Sequence, residues 1–195
     1  MLILGAKGHG KVIAEIAELN AIALQGFVDE DPEINQVWQY QVMHDLPKNA
    51  RKLFLAIGDN QNRKHLFERF SEYEFPILIH PNASLSKRVQ LGKGTAIMAG
   101  AVVNAEVKIG QQVILNTNCS VDHECQLGDF VHISPNASLA GNVEVGEGTQ
   151  IGIGASVIQG IKIGRWAMIG AGAVIIRDVP DGATVVGNPG RIIQK

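Results

Sequence analysis

Cysteine, net charge and long apolar runs are all in short supply in this chain. The two cysteines, Cys119 and Cys125, are too few for a disulfide scaffold. Both stand among Val, Ala and Thr at equivalent places of a repeat described below, so they read as small core residues and not as nucleophiles or metal ligands. With 17 Lys+Arg against 19 Asp+Glu, the formal net charge is −2. No basic stripe stands out, which argues against nucleic acid as a partner. No apolar run approaches the ~18–20 residues needed for a membrane span. The opening MLILGAKGHGKV lacks the basic n-region and long apolar core of a signal peptide. The expected location is the cytoplasm. What the chain does have is 46% hydrophobic residues over a length of 195, enough for a packed core in one domain or two small ones.

Two halves differ in pattern. Over residues 1–80, strands and helices alternate. LILGA is a short apolar strand, and KVIAEIAELN sets Val12, Ile13, Ile16 and Leu19 on one helical face. LQGFVDED and KLFLAIGDN read as further strands, QNRKHLFERF as a helix carrying Leu66, Phe67 and Phe70, and FPILIHPNA as an extended segment. Such alternation predicts a parallel sheet covered by helices, a Rossmann-like α/β subdomain.

From Ala83 the chain divides into sixteen hexapeptides, from ASLSKR to AVIIRD, without an insertion. The third position is Leu, Ile or Val in all sixteen, and the first is always Ala, Val, Thr, Cys or Ile. An internal repeat of this kind decides architecture before any other signal does. Each unit alternates inward and outward side chains as a strand does. Position four holds Gly, Asn or Asp in ten units, residues that tolerate positive φ, which predicts a corner there. Three faces then make a triangular coil of eighteen residues. Stacked coils bury positions one and three, with parallel strands ~4.8 Å apart. Residues 81–195 are thus expected to form an all-β parallel β-helix. The hexapeptide pattern, with the closing VVGNPGR, resembles the hexapeptide-repeat acyltransferases, and the left hand of the β-helix is what that resemblance implies. The same coil also serves γ-class carbonic anhydrases and plain scaffolds.

Within SVDHECQLGDFVHISPN, two histidines interrupt the monotony. His123 takes position five and points outward, and Glu124 beside it can hydrogen-bond one ring nitrogen and fix the tautomer. Gly141 follows eighteen residues later, so it stacks one coil above His123, ~5 Å along the axis. A base beneath a bare backbone N–H suits acyl transfer. Asn116, on the preceding face of the same coil, is placed to help hold an acceptor. His132, at position two, faces another direction and meets His123 only across a subunit interface. A carbonic-anhydrase zinc site needs three histidines, and two at this spacing do not supply it, so no metal is expected.

GAKGHGKV follows a strand and opens a helix. It is G-x-x-G-x-G and not the dinucleotide fingerprint G-x-G-x-x-G, which disfavours NAD. The N–H groups of that helix start, with Gly8, His9 and Gly10, can bind phosphate. Asp29 and Glu30, and Gly58 and Asn60 of AIGDNQNR, lie where open α/β sheets place ligands. His44, His65 and His80 show no evident partners.

NTNCSVDHECQLGDFVHISPNASLAGNV together with GAKGHGKV resembles one subfamily over nearly the whole chain: bacterial N-acetyltransferases of nucleotide-linked amino sugars, of the bacillosamine-pathway type, with sialic acid O-acetyltransferases as relatives. The resemblance implies acetyl-CoA as co-substrate with no bound cofactor, a UDP-4-amino-4,6-dideoxy sugar as acceptor, and a homotrimer with sites between subunits. It implies His123 as general base, Glu124 as its partner and Gly141 as donor to the thioester oxygen. It places His132, with Ile153 and Lys162, on acetyl-CoA, His9 near the sugar amine and Asp29 near the uridine. Sugar O-acetylation and a non-catalytic sugar-nucleotide-binding scaffold remain as alternative functions.

Overall fold

The computed structural model describes residues 1–47 and 50–193. In the N-terminal half, β1 (Leu2–Leu4), β2 (Gly26–Val28) and β5 (Leu53–Leu55) form the parallel sheet expected from the alternation, with α1 (Gly8–Leu19) and α2 (Asn60–Arg69) against it. Asp59 caps α2, its carboxylate accepting from the Asn62 N–H at 2.7 Å, which supplies one of the bonds that a helix start lacks. A hairpin that the alternation does not predict, β3 (Gln36–Val37) and β4 (Tyr40–Met43), extends the sheet in the order β3-β4-β2-β1-β5. Its strands are two and four residues long and its turn is Trp38-Gln39, not one of the Asn-Gly type that betrays a hairpin. The buried face of α1 is also rotated from expectation. Ile13, Ala14, Ile16 and Ala17 are buried, whereas Val12 and Leu19 are exposed. Small alanines pack close to the sheet, and a pattern read only from large apolar residues misses them.

The repeat winds into a parallel β-helix. One face runs from strand Leu78–Ile79 through Ala96–Ile97, Ile114–Leu115, His132–Ile133, Gln150–Ile151 and Met168–Ile169, each paired with its neighbour in parallel. A second face carries the strands Ser84–Leu85 to Val174–Ile175, and a third carries Gln90–Leu91 to Lys162–Ile163. Positions one and three fill the shaft: Val103, Val107, Val113, Leu115, Cys119, Val121 and their equivalents are buried in one continuous cluster. The α/β half covers the outside of the first face, where Ala96, Met98 and Ile114 join Ile3, Ile13 and Phe54 in a second core.

The corners fall elsewhere than position four. Positive φ occurs at position six, in every unit from Gly94 (φ 70°) to Gly172 (φ 68°), including Glu106 (64°), Gln112 (55°), Glu124 (60°) and Phe130 (60°). Position-four glycines serve a different need. A Cβ on Gly128 would lie 2.7 Å from the Glu147 nitrogen, and one on Gly146 would lie 2.6 Å from the Arg165 nitrogen. Both neighbours belong to the backbone of the next coil, which leaves no room for a side chain. A pair of substitutions separates the two roles. Gly128→Ala must push backbone and is expected to lose about 1–3 kcal/mol, read as a lower midpoint in urea. Glu106→Gly relieves a left-handed residue worth roughly 1–2 kcal/mol but gains chain entropy when unfolded, so its midpoint is expected to stay close to the native value.

Candidate functional site

The stacking of coils brings three of the expected residues, His123, Glu124 and Gly141, together. His123 and Glu124 occupy the corner between the second and third faces. Glu124 takes the left-handed position there, which swings its carboxylate back so that Oε2 lies 3.0 Å from His123 Nδ1. A carboxylate only accepts, so Nδ1 carries the proton and Nε2 keeps its lone pair. The His123 main chain is held from below as well. Asp122 Oδ1 accepts from the His123 N–H at 2.8 Å and from Asn104 Nδ2 at 2.7 Å, and the bond to Asn104 is the main reason that the Asp122 carboxyl is held below its usual range. Asp122 was not anticipated as part of the site. Its position next to the histidine was the signal.

One coil up, the Asn142 N–H donates to the His123 carbonyl at 2.9 Å and fixes the register of the two corners. A Cβ on Gly141 would sit 2.5 Å from His123 Cε1 and 2.6 Å from Nε2. The imidazole therefore packs directly against the backbone of a glycine that has no side chain to displace it. Among the described residues the Gly141 N–H donates to nothing. A shallow groove of about 350 Å³ flanks this corner on the second face, lined by Asn104, Asp122, Ser138, Ala140 and Ser156. A larger one, about 860 Å³, lies on the third face and includes Lys162, whose ammonium pairs with Glu144 at 3.0 Å. Cys119 and Cys125 are fully buried in the shaft, and burial pushes the Cys119 thiol up to about 12. Neither supplies a nucleophile.

Other expected residues gather at a second place, the seam between the α/β half and the first face. Asn116 Nδ2 lies 3.1 Å from His132 Nε2, not beside His123. His132 is close enough to His9, at the start of α1, for their charges to interact. Two ring nitrogens here, His9 Nε2 and His132 Nδ1, are shut off from solvent without a hydrogen-bond partner. Burial above all, and then the Arg63 guanidinium, lower His9 to about 4 and His132 to about 3; the Gly58 backbone pulls His132 weakly the other way. Both rings are thus neutral at pH 5 in the folded chain, while in the unfolded chain they take up protons below ~6.5. Stability is therefore present above that value and lost as pH falls towards the folded values, by about 1–2 kcal/mol per ring between pH ~6.5 and ~5. Urea midpoints across that window should fall, and His9→Gln should flatten the slope.

The remaining expectations divide. Asp29 closes the loop after β1, with Oδ2 accepting from the Ala6 N–H at 2.8 Å and Oδ1 from the Asp31 N–H at 3.0 Å. It lines, with Glu30, His44 and Arg69, a recess of about 290 Å³ at the strand ends. His44 is not partnerless: its Nδ1 lies 3.0 Å from the Asp29 carbonyl. Gly8 is exposed at the start of α1. Gly10 is buried against the Gly5 carbonyl, and any Cβ there would collide with it. Asn60 is not free for a ligand. It is buried, its Nδ2 donates to the Gly148 carbonyl at 3.0 Å and its Oδ1 accepts from Arg63 at 2.8 Å. Ile153 stands exposed at the corner between the first and second faces. On one chain, His132, Ile153, Lys162 and Gly141 thus lie at four separate places around the prism. Arg63 was missed altogether. It lies four residues before the buried Phe67 and so on the same face of α2, a position that a reading restricted to apolar residues passes over.

Two family models match: the PglD N-terminal domain over residues 1–70, and the bacterial transferase hexapeptide (six repeats) over 142–177. Among solved structures, a point mutant of perosamine N-acetyltransferase from Caulobacter crescentus, in complex with CoA and GDP-perosamine, is 38% identical. The match covers 100% of this chain and 96% of that one with a TM-score of 0.95. The acetyltransferase domain of PglB from Neisseria gonorrhoeae is also 38% identical, with 98% of each chain covered and a TM-score of 0.92. A Bacillus subtilis UDP-N-acetylbacillosamine N-acetyltransferase is 41% identical over 109 residues, a match that spans half of this chain and half of that protein.

Proposed function

Because the chain belongs to the family of hexapeptide-repeat N-acetyltransferases of nucleotide-linked amino sugars, we propose that it moves the acetyl group of acetyl-CoA onto the amine of a nucleotide-activated amino sugar. The observation that carries this reading is the imidazole of His123, its Nδ1 held by Glu124, packed beneath the bare backbone of Gly141. In the reaction the amine nitrogen bonds to the thioester carbon, and His123 Nε2 takes the proton that the nitrogen sheds. The Gly141 N–H donates to the oxygen as it becomes negative, and the carbon–sulfur bond then breaks to release CoA. Direct transfer needs no acyl-enzyme, in keeping with two buried thiols.

The acceptor's nucleotide belongs in the α/β half, near the start of α1 and the strand-end recess that Asp29 and Glu30 line. The resemblance puts His132 on acetyl-CoA, but its ring lies at the seam beside Asn116 and His9, so His9, Asn116 and His132 are assigned together to the acceptor's sugar. Since His123 stands at the corner away from the first face, the seam that meets it is that of a second copy. A homotrimer with each site shared by two copies satisfies this, and acetyl-CoA then runs between neighbouring coils, where Ile153 and Lys162 are reached from different copies. The chemistry draws on cytoplasmic substrates. Among the described residues, no helix is long and apolar enough to cross a membrane.

The test is a panel of UDP-, dTDP-, GDP- and CMP-linked sugars, amino and hydroxyl, each incubated with acetyl-CoA while free thiol is followed. Thiol release with an amino sugar alone supports the proposal. Release only with hydroxyl sugars would make the enzyme an O-acetyltransferase, and no release with any would leave a binding scaffold.

A further inference from the structure

Arg63 is 1% exposed, and among the described residues no carboxylate pairs with it. Its five N–H donors go to oxygens on both sides of the seam. Nη1 reaches the Ile57 and Gly58 carbonyls at 2.8 and 3.3 Å, and Nη2 reaches Asn60 Oδ1 and the Phe130 carbonyl, both at 2.8 Å. Nε donates to the Gln112 carbonyl at 2.9 Å. Gln112 and Phe130 are left-handed corner residues of successive coils, and Asn60 continues the series on Gly148. One guanidinium thus ties the loop after β5 to the segment that leads into His132. Burying a cation without a counter-charge is costly, and apolar residues would join two halves at less cost. The charge calls for a use beyond adhesion.

We propose that Arg63 is a positioning residue for acceptor binding: by clamping the 57–60 loop to Gln112 and Phe130, it sets the His9 and His132 rings at the spacing the acceptor meets. The inference rests on the function proposed above. Both rings stay partly exposed at the seam, and their open edges are what an acceptor can meet. The same cation adds to burial in keeping both rings neutral. A neutral imidazole offers one donor and one acceptor, whereas an imidazolium could only donate and would repel an amino sugar. The charged groups that face these rings are Arg63 and the rings themselves, with Asp59 acting on Arg63 from the start of α2.

The test uses the purified full chain and the acceptor it accepts. Arg63→Lys keeps the charge and loses the fork. It is expected to raise the acceptor KM about tenfold, with kcat and the acetyl-CoA KM within about threefold and the pH profile unchanged. Arg63→Gln loses the charge too. Its acceptor KM should rise at least as far, with the pH profile still native, because burial is the larger cause of both rings' neutrality and remains. If both variants fold and keep the native KM, with only the melting temperature lowered, Arg63 is structural and the proposal is wrong. Should neither fold, Asn60→Ala, which leaves the guanidinium in place, must raise the acceptor KM alone; an unchanged KM overturns the proposal. Proton NMR of the native chain provides a readout independent of turnover. Two histidine rings must remain neutral at pH 5, and normal titration of all six overturns the proposal even if no acceptor has been found.

Discussion

His123→Ala is expected to lower kcat at least ~100-fold, the loss usual for a general base, with the circular dichroism spectrum, melting temperature and assembly state unchanged. The side chain is 56% exposed and its hydrogen bond to Glu124 lies at the surface, so removing it opens no cavity. The corner itself is kept by two bonds of the His123 main chain, its carbonyl accepting from the Asn142 N–H and its N–H donating to the Asp122 carboxylate, neither of which involves the ring. A variant that retains native kcat would remove the imidazole from the mechanism and leave the oxyanion donor as the only catalytic group of the corner.

Gly141→Ala should be almost as damaging for a different reason. Gly141 has no positive φ, so alanine suits its backbone, and the fold should hold. The added methyl would lie 2.5 Å from Cε1 and 2.6 Å from Nε2 of His123, and the exposed ring is the part that must give. A displacement of ~1 Å at a reacting group costs about 100-fold. The methyl also crowds the N–H that should meet the thioester oxygen. If the loss arises through the ring, the two substitutions will not add. In a chain that already carries His123→Ala, the methyl finds space, and Gly141→Ala should then cost less than tenfold. Full additivity would instead place the effect of Gly141 on the amide alone.

The β-helix was legible because a strict period of six leaves few ways to bury positions one and three. Even so, the corner lies two residues later than the residue types at position four imply. Glycine, asparagine and aspartate at position four look like turn residues, and glutamate, glutamine, phenylalanine and tryptophan at position six do not. In the folded chain the ladder bonds on both sides of each corner hold Phe130 and Trp166 left-handed, while the apparent turn glycines answer to the coil above. The hairpin Gln36–Met43 and the true buried face of α1 were hidden for a related reason, since short strands and small residues carry little periodic signal.

The pairing of His123 with Gly141 followed from counting alone, because eighteen residues make one coil and neighbours along the axis are fixed by arithmetic. The seam had no such rule. Asn60 and Arg63 come from α2 and Asn116 and His132 from adjacent coils, and what brings the two pairs to one seam is the docking of one half on the first face of the other. By itself the sequence determined the repeat, the shaft and the stacking of Gly141 on His123, all of which are local in the period. Only the tertiary structure decided that His132 looks into the seam, that Asn60 belongs to the clamp, and that a buried guanidinium stands beside two neutral histidines. Those depend on burial and on unpaired donors meeting carbonyls across an interface, and a linear pattern does not encode which surfaces will meet.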